Sequence, residues 1–249
     1  MKSTETYTPG HSRNATDFMA ARSFASHGGF FAPHLESGLS VLDCGCGPGS
    51  ITLGIGDRVA PGQVVGVDAG INQIEVATAR CTGVPNVSFR VANCYRLPFK
   101  DDTFDRVFSH ALLEHLAEPA RAVQEMWRVL KPGGVVGLCS PDWGGFILSP
   151  PSAALTEAVA AYTALQARNG GDVGAGRKLG LLLGSAGFAA VSMSARHECY
   201  PSLGFIGEYL AAQLERDGSL EHARTLREWS ASNGGMFAQA WVAAVGSKL

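Results

Sequence analysis

The sequence predicts an α/β domain built on a parallel sheet. From residue 39 onwards, short apolar runs of strand length alternate with stretches of helix length, which is the pattern of parallel strands joined by right-handed crossovers. Two of the apolar runs end in a carboxylate, and the stretch 41–49 ends in three glycines at alternate positions. The length of 249 residues fits one such domain with an added cap.

The first part of the chain contains five strands and the helices between them. The predicted strands are Leu39–Cys44, Gln63–Val67, Val87–Val91, Phe104–Ser109 and Val135–Cys139. The predicted helices are Ser50–Arg58, Asn72–Cys81 and Pro119–Leu130. The turn Lys131-Pro132-Gly133-Gly134 ends the last helix, because proline cannot continue a helix and glycine supplies the turn.

The last third of the chain is less regular. Its predicted helices are Ser152–Arg168, Arg177–Ala186 and Ser202–Ser230, with a glycine-rich loop at Gly170–Gly176 and a break in the third helix at Asp217-Gly218. Two further strands are predicted, at Val191–His197 and Phe237–Val245.

Charge and cysteine content exclude several classes of function. The net charge of −2, with Lys and Arg scattered, argues against nucleic acid as a partner. No apolar run reaches the roughly 18 residues of a membrane span, and the N-terminus lacks a signal peptide, so we expect a cytoplasmic protein without a membrane partner. The six cysteines contain no Cys-x-x-Cys pair, so we expect buried thiols and no metal site.

The stretch 41–49 predicts a ligand site. Glycine lacks a Cβ, so the loop backbone can lie directly against a ligand. Asp43 would repel the pyrophosphate that a dinucleotide-binding loop holds, and position 50 is Ser where the Gly-x-Gly-x-x-Gly spacing requires its third glycine. A carboxylate there suits a ligand with an ammonium and a sulfonium group. The stretch resembles the first motif of class I S-adenosylmethionine-dependent methyltransferases, Asp-x-Gly-x-Gly-x-Gly.

The resemblance covers about residues 35–245 and implies a fold. The family has a Rossmann-like, seven-stranded mixed sheet with helices on both faces, and its last strand is inserted antiparallel beside the fifth. We expect one methyltransferase domain over 1–249, with a cofactor-binding half at 36–140 and a substrate half at 141–249. Residues 1–35 and the helices at about 200–235 are expected to form a lid.

The resemblance also implies the cofactor, S-adenosyl-L-methionine, and its product, S-adenosyl-L-homocysteine. Asp68 ends the second strand, where an acidic residue accepts hydrogen bonds from ribose hydroxyls, although a strand-end Asp can also be a helix cap. Asn93 stands where the family usually has an Asp that contacts adenine, which predicts a weaker, neutral contact. The residues expected at the cofactor are Tyr7, His11, Asp43, Gly45, Cys46, Gly47, Pro48, Gly49, Asp68, Ala69, Gln73, Ala92, Asn93, Cys94, Ser109 and His110.

Three histidines are candidates for a general base. Histidine takes up a proton near neutral pH, and a base is needed only when the acceptor atom arrives protonated. His110 is placed by the resemblance near the transferred methyl group, His115 follows in the next turn, and His11 lies in an N-terminal segment that is expected to fold over the cofactor. Each of the three also has a structural interpretation.

Aromatic residues predict the acceptor. The stretch after the fifth strand faces the carboxyl edge of the sheet, where ligands of open α/β sheets bind. The residues expected at a small, largely apolar or aromatic acceptor are Trp143, Phe146, Phe30, Tyr200 and Phe205, with Phe31 and Tyr209 as further candidates. The whole chain is most similar to the quinone-biosynthesis and natural-product methyltransferases. Whether oxygen, nitrogen or carbon is methylated stays open.

Three other functions remain as alternatives. The same cofactor site could serve a cyclase or isomerase, in which the sulfonium acts only as a charge. A binding-only sensor of the cofactor is another possibility. A nicotinamide-dependent oxidoreductase is disfavoured by Asp43 and by the lack of a Tyr-x-x-x-Lys pair. A homodimer is possible under each interpretation.

Overall fold

The computed structural model describes residues 6–10, 12–200, 202–232 and 234–249. Within them, seven strands form one mixed sheet, in the order β3-β2-β1-β4-β5-β7-β6. The strands are β1 (Val41–Cys44), β2 (Val64–Asp68), β3 (Val87–Val91), β4 (Phe104–His110), β5 (Leu130–Ser149), β6 (Ala189–Cys199) and β7 (Met236–Ser247). The strands β1 to β5 pair in parallel, and β7 runs antiparallel between β5 and β6. The predicted seven-stranded fold is therefore confirmed.

Helices cover both faces of the sheet and cap one end. The helices are α1 (Arg13–Ala20), α2 (Ser50–Val59), α3 (Ile71–Arg80), α4 (Pro119–Val129), α5 (Ala153–Arg168), α6 (Ala175–Ser185), α7 (Leu203–Arg216) and α8 (Leu220–Ser230). Short helical turns occupy Phe24–Gly28, Gly29–His34 and Leu113–His115. The predicted break between the last two helices is confirmed at Asp217 and Gly218, where Gly218 has a φ of 83°.

The hydrophobic core has two parts along the sheet and a third beyond it. Residues of α4 and α6 bury one face, with Ala122, Val123 and Met126 fully buried as predicted. Residues of α2 and the turn Gly29–His34 bury the other face around Phe31. A separate cluster joins α5, α7 and α8 to Phe18 of α1 and to the ends of β5 and β7. This third cluster places a helical cap beside the carboxyl ends of the parallel strands.

The fifth strand is longer than predicted. The sequence predicted the strand Val135–Cys139, but it spans Leu130–Ser149, because β7 supplies backbone partners beyond Cys139, up to Asp142 and again from Ile147 to Ser149. The pairing is interrupted between Asp142 and Ile147, where the backbone N–H of Gly144 donates to Asp142 Oδ1 at 2.9 Å. This irregular stretch carries Trp143 and Phe146 on the sheet itself and not on a loop after it.

A helix boundary was also predicted wrongly. The helix predicted from Arg177 begins at Ala175, which takes two residues from the predicted glycine-rich loop. A Cβ on Gly176 would lie 2.8 Å from the Ser140 carbonyl oxygen, so glycine lets the first turn of α6 approach the β5 backbone.

Candidate cofactor and acceptor site

Two neighbouring cavities lie at the carboxyl ends of the parallel strands. The larger, here called the cleft, has a volume of about 280 Å³ and lies over β1, β2 and β4. The smaller, called the chamber, has a volume of about 40 Å³ and lies between α1, the helical cap and β7. The two share the wall residues Tyr7, Met19, Arg22, Ala111 and His115.

Most of the residues predicted at the cofactor line the cleft. They are Tyr7, Asp43, Gly45, Cys46, Gly47, Pro48, Asp68, Ala69, Gln73, Ala92, Asn93, Cys94 and His110. Gly49 and Ser109 do not line it, and His11 lies outside the described residues. The cleft therefore brings together predicted residues that are up to about one hundred positions apart in the sequence.

The glycine loop curves around the end of β1 and is held by Asp68. The backbone N–H of Gly47, at a φ of 52°, donates to Asp68 Oδ2 at 3.0 Å. The N–H of Gly70 donates to Asp68 Oδ1 at 2.8 Å. These bonds orient the Asp68 carboxylate at the tip of β2, and a carboxylate is a group that accepts hydrogen bonds from ligand hydroxyls.

Gly49 serves packing and not the cleft wall. It has a φ of 75°, and a Cβ built on it would lie 2.9 Å from both Ala77 Cβ and Phe89 Cζ. The Ser109 hydroxyl donates to the Cys44 carbonyl at 2.8 Å and joins β4 to β1. Both residues contact neighbouring elements, and their role at the cofactor stays a prediction.

Asp43 lies buried beneath the loop. Its Oδ2 accepts a hydrogen bond from the Thr52 hydroxyl at 2.6 Å, and only 2% of the residue is exposed. Burial raises the pKa of Asp43 to about 7. A cationic ligand in the cleft would favour the ionised carboxylate, whereas an anionic ligand would be repelled.

Gln73 contributes an unused acceptor. Its Nε2 donates to Thr16 Oγ1 at 3.1 Å, and its Oε1 is buried without a hydrogen-bond partner among the described residues. A buried polar atom without a partner costs free energy, so a ligand that donates to it would be bound more tightly.

Asn93 is placed at the open end of the cleft. Its side chain is exposed, and its Oδ1 accepts from the backbone N–H of Tyr95 at 2.8 Å. The oxygen retains one lone pair for a ligand, as the neutral contact predicted from the sequence requires.

His110 lies at the inner end of the cleft. Its ring packs 4.7 Å from Trp241 and edge-on to His27 at 5.1 Å, and neither ring nitrogen has a hydrogen-bond partner among the described residues. Burial, with the nearby charge of Arg22, holds the pKa of His110 well below its usual range. The neutral ring is therefore a weak base.

His115 and Glu114 form a pair at the boundary of the two cavities. His115 Nε2 lies 3.7 Å from Glu114 Oε1, and the ring meets Tyr7 edge-on at 4.8 Å. Burial lowers the pKa of His115 to about 3 and raises that of Glu114 to about 7. The histidine is therefore neutral near pH 7, and the contact is not a full ion pair.

The chamber has aromatic walls, but only some of them were predicted. Trp143, Tyr200 and Tyr209 line it as expected. Phe205 stacks behind Phe18 at 4.9 Å, and Phe146 stacks on Phe237 at 5.6 Å, so neither reaches the chamber. Phe30 and Phe31 pack on Phe108 in the sheet core, at 5.8 Å each.

Several chamber residues were missed by the sequence analysis. They are Phe18, Arg22, Glu114, Tyr162, Gln166, Gln239 and Trp241. Glu114 stands between two of the residues singled out, so the same turn could have indicated it. The others come from α1, α5 and β7, and no spacing in the sequence relates them.

The N-terminal segment crosses the two cavities and is fastened at two points. The Tyr7 hydroxyl donates to Met19 Sδ at 3.3 Å. The Arg216 guanidinium donates to the carbonyls of Thr8 and Pro9, at 3.1 and 2.8 Å.

Among the described residues, none of the helices combines the length and apolar character needed to cross a lipid bilayer.

Comparisons with known proteins agree with this geometry. Residues 42–138 match the family model of a methyltransferase domain. A demethylmenaquinone methyltransferase of Symbiobacterium thermophilum is 38% identical over 105 residues, which are 41% of this chain and 42% of that protein. The chain spans no more than about half the length of the curated relatives that it matches first.

Solved structures show the same fold. The YcgJ protein of Bacillus subtilis superposes with a TM-score of 0.64 at 20% identity, covering 89% of this chain and 97% of that one. The [4+2]-cyclase SpnF superposes with a TM-score of 0.57 at 24% identity, covering 94% of this chain and 80% of that one. The chain therefore shares the fold of these solved structures, and its residues 42–138, less than half of its length, match the model of a methyltransferase domain.

Proposed function

We propose that this protein transfers a methyl group from S-adenosylmethionine to a small, largely apolar or aromatic acceptor. The observation that carries the proposal is the shared wall between the cleft and the chamber. A cofactor in the first cavity and an acceptor in the second would meet at His115 and Ala111. The relative from Symbiobacterium is named a demethylmenaquinone methyltransferase, and a quinone acceptor agrees with this proposal.

The cleft residues fit the cofactor. Asp43 would face its ammonium and sulfonium charges, Asp68 would accept from the ribose hydroxyls, and Gln73 Oε1 would gain the partner that it lacks. Gly45 and Gly47 leave the loop backbone open to close approach. S-adenosylmethionine, when bound, supplies a methyl carbon activated by a sulfonium group, so that an in-line displacement needs mainly alignment and exclusion of water from the protein.

The pair His115–Glu114 is our candidate for proton removal. His115 lines both cavities, whereas His110 lines only the cleft and Glu114 only the chamber. His115 Nδ1 has no hydrogen-bond partner among the described residues. Burial makes His115, like His110, a weak base on its own, so His115 takes the proton of an acceptor hydroxyl only while the neighbouring Glu114 is ionised. Glu114, once ionised, stabilises the resulting imidazolium, and the Ser140 hydroxyl holds the carboxylate at 3.0 Å. Turnover is then expected to increase as the pH rises through about 7.

The proposed domain organisation follows the same division. Residues 36–140 bind the cofactor and 141–249 select the acceptor, within one domain over 1–249. The segment 1–35 and α7–α8 close over the site. The cytoplasmic location and the homodimer stay predictions.

Thermal unfolding with ligands tests the proposal. A ligand that binds only the folded state raises the melting temperature, so S-adenosylhomocysteine and S-adenosylmethionine should stabilise the protein and nicotinamide dinucleotides should not. Asp68→Ala should abolish the shift, whereas Asp57→Ala, at an exposed position on α2, should keep it. Stabilisation by a dinucleotide alone, or by none of these ligands, would contradict the proposal.

A cyclisation or isomerisation on the same fold is the second candidate, because the superposed structure SpnF is described as a cyclase. Product mass separates the two functions. Methyl transfer adds one methyl group to the acceptor and forms S-adenosylhomocysteine, whereas an isomerisation leaves both the substrate mass and the cofactor unchanged.

A further inference from the structure

Arg22 places a positive charge in the chamber wall. Its guanidinium lies 5.5 Å from the ring centre of Phe18 and 5.2 Å from that of Trp241. Both rings line the chamber and neither lines the cleft, so the charged group lies on the chamber side of the shared wall. Within the described part of the chain, Arg22 makes neither an ion pair nor a side-chain hydrogen bond.

Two buried amides add unused acceptors to the same chamber. Gln166 and Gln239 are each 1% exposed and line the chamber. Their NH₂ groups are committed to backbone carbonyls: Gln166 donates to Glu114 at 3.0 Å, and Gln239 donates to Asp142 and Ala240 at 3.2 Å. These bonds fix each amide orientation and leave both Oε1 atoms without a partner among the described residues.

An apolar acceptor would leave these groups unsatisfied. Two buried oxygens without donors cost free energy, and a ligand that donates to them removes that cost. Arg22 is partly exposed and has Glu114 as a nearby carboxyl group in the same chamber, but it makes no ion pair among the described residues, so its charge can still attract an anionic ligand. Arg22 requires an anionic group, and the amide oxygens require a hydroxyl or N–H donor. The flat walls formed by Phe18, Tyr209 and Trp241 suit a ring between these polar groups.

Building on the proposed methyl transfer, we infer that the acceptor is an aromatic compound with an anionic group, such as a carboxylate, and at least one hydroxyl. The anion lies at Arg22, and a hydroxyl donates to Gln166 or Gln239. The oxygen of the hydroxyl that faces His115 is the methylated atom. It would form the new bond to the methyl carbon while the bond between that carbon and the sulfonium sulfur breaks, with its electron pair left on sulfur, and the hydroxyl proton would pass to His115. Of the two acceptor types in the proposed function, this inference selects the aromatic one and adds an anionic group and a hydroxyl to it.

The chamber must widen to admit such a ring. Its volume of about 40 Å³ holds only a few water molecules. Phe18, Met19 and Arg22 form one wall and stand on α1 or directly after it, so an outward movement of this helix enlarges the chamber.

Three matched ligands test the inference in the natural protein. Isothermal titration of S-adenosylhomocysteine-saturated protein would compare para-hydroxybenzoate with benzoate, which lacks the donor, and with phenol, which lacks the anion. We expect para-hydroxybenzoate to bind at least about tenfold more tightly than either, because it alone satisfies both kinds of group. Arg22→Met should remove the preference over phenol, and Arg224→Met, at an exposed position on α8, should retain it.

The other outcomes are separable. Equal binding of the three ligands, or binding of none, while S-adenosylhomocysteine binds, would overturn the inference and leave the proposed function intact. A loss of S-adenosylhomocysteine affinity in Arg22→Met with an unchanged ligand preference would also overturn it, since the cation would then serve the cofactor. Failure of S-adenosylhomocysteine to bind the natural protein would contradict the proposed function, and the same titration without it would still measure the anion preference.

Discussion

At the scale of single residues, glycines of one motif have different roles. Gly47 bends the loop and donates its N–H to Asp68, whereas Gly49 fills a space between α3 and β3 too small for a Cβ. The alternate spacing shows that three glycines are needed but does not separate these needs. A comparison of two glycines with positive φ measures the packing role of Gly49.

Gly49→Ala should lower the free energy of unfolding by about 2–4 kcal/mol, the sum of the left-handed backbone cost and the steric overlap. Gly83→Ala is the matched control, because Gly83 has a φ of 83° with no atom within 4 Å of the added Cβ. The Gly83→Ala variant should lose only about 1–2 kcal/mol of its free energy of unfolding. Urea unfolding of both variants gives the values, and equal losses would show that the contacts with Ala77 and Phe89 are not limiting.

Those residues of the site that belong to the glycine motif or stand at the ends of parallel strands could be predicted from the sequence. Asp43, Asp68 and the loop glycines follow strand ends, so parallel pairing brings them to one edge of the sheet. Ser109 follows the same rule for position, but its hydroxyl bonds across to Cys44, and which way a side chain points is decided by its neighbours. Arg22 carries no sequence signal, because its surroundings come from distant segments.

At the scale of elements, the N-terminal segment depends on one side chain of α7. Arg216 donates to two successive backbone carbonyls, of Thr8 and Pro9, beside the wall that the two cavities share. Asn169, directly after α5, adds a hydrogen bond from its Nδ2 to Thr8 Oγ1 at 3.0 Å. The cap therefore holds the segment through polar contacts with water nearby, and such contacts open more readily than a packed core.

Arg216→Met should increase amide hydrogen exchange in the peptide that covers residues 6–20 and should speed release of S-adenosylhomocysteine. The methionine keeps the apolar stem but loses both hydrogen bonds, each worth about 1 kcal/mol. Exchange in α2 should not change. Arg224→Met serves as the surface control, and unchanged exchange in residues 6–20 would show that other contacts hold the segment.

The length of elements was the least predictable feature at this scale. The sequence analysis predicted that β5 ends at Cys139, and a proline and two glycines, which disfavour a strand, follow closely. The partner β7 extends the strand to Ser149, since pairing with a long neighbour outweighs the local preference. The extension places Trp143, which the sequence analysis expected at the acceptor, in the wall of the chamber.

At the scale of the whole molecule, stability and cofactor binding place opposite demands on one carboxyl group. The Asp43 carboxyl has an ordinary pKa of 3.8, and in the folded protein its pKa is about 7. The unfolded chain therefore releases this proton at a lower pH than the folded one, and the group lowers the free energy of unfolding as the pH rises between these two values. At about 1.4 kcal/mol per pKa unit, the loss reaches at most about 4 kcal/mol.

Asp43→Asn should therefore stabilise the ligand-free protein at pH 8 but not at pH 4, because the neutral amide can still accept from Thr52. It should also weaken binding of S-adenosylmethionine, which gains from an ionised carboxylate. Chemical unfolding at the two pH values and calorimetric titration measure the two effects. Asp57→Asn, at an exposed position, is the control. A gain in stability that is equal at both pH values would contradict the raised pKa.

The fold as a whole was predictable because two independent patterns agree. The alternation of strands and helices predicts parallel pairing, and the resemblance adds the antiparallel last strand, which β7 confirms. The chamber was not predictable in the same way, since it depends on how α1, α5 and α7 meet over the sheet. How such helices pack depends on the fit between their side chains, and no periodic pattern in the sequence indicates that fit.

The residues that line the cleft and those that line the chamber come from different parts of the sequence, which affects how such a protein can evolve. All residues of the cleft except Tyr7, Met19 and Arg22 lie within the matched segment 42–138, whereas all of the chamber except Ala111, Glu114 and His115 lies outside it. If the proposed function holds, mutations in the flanking segments can alter which compound is accepted while the residues of the proposed cofactor site stay unchanged. The residues of the cleft and those of the chamber thus lie mostly in different segments of the chain. Exchanging the segments before residue 42 and after residue 138 between relatives is therefore a way to redesign the acceptor preference.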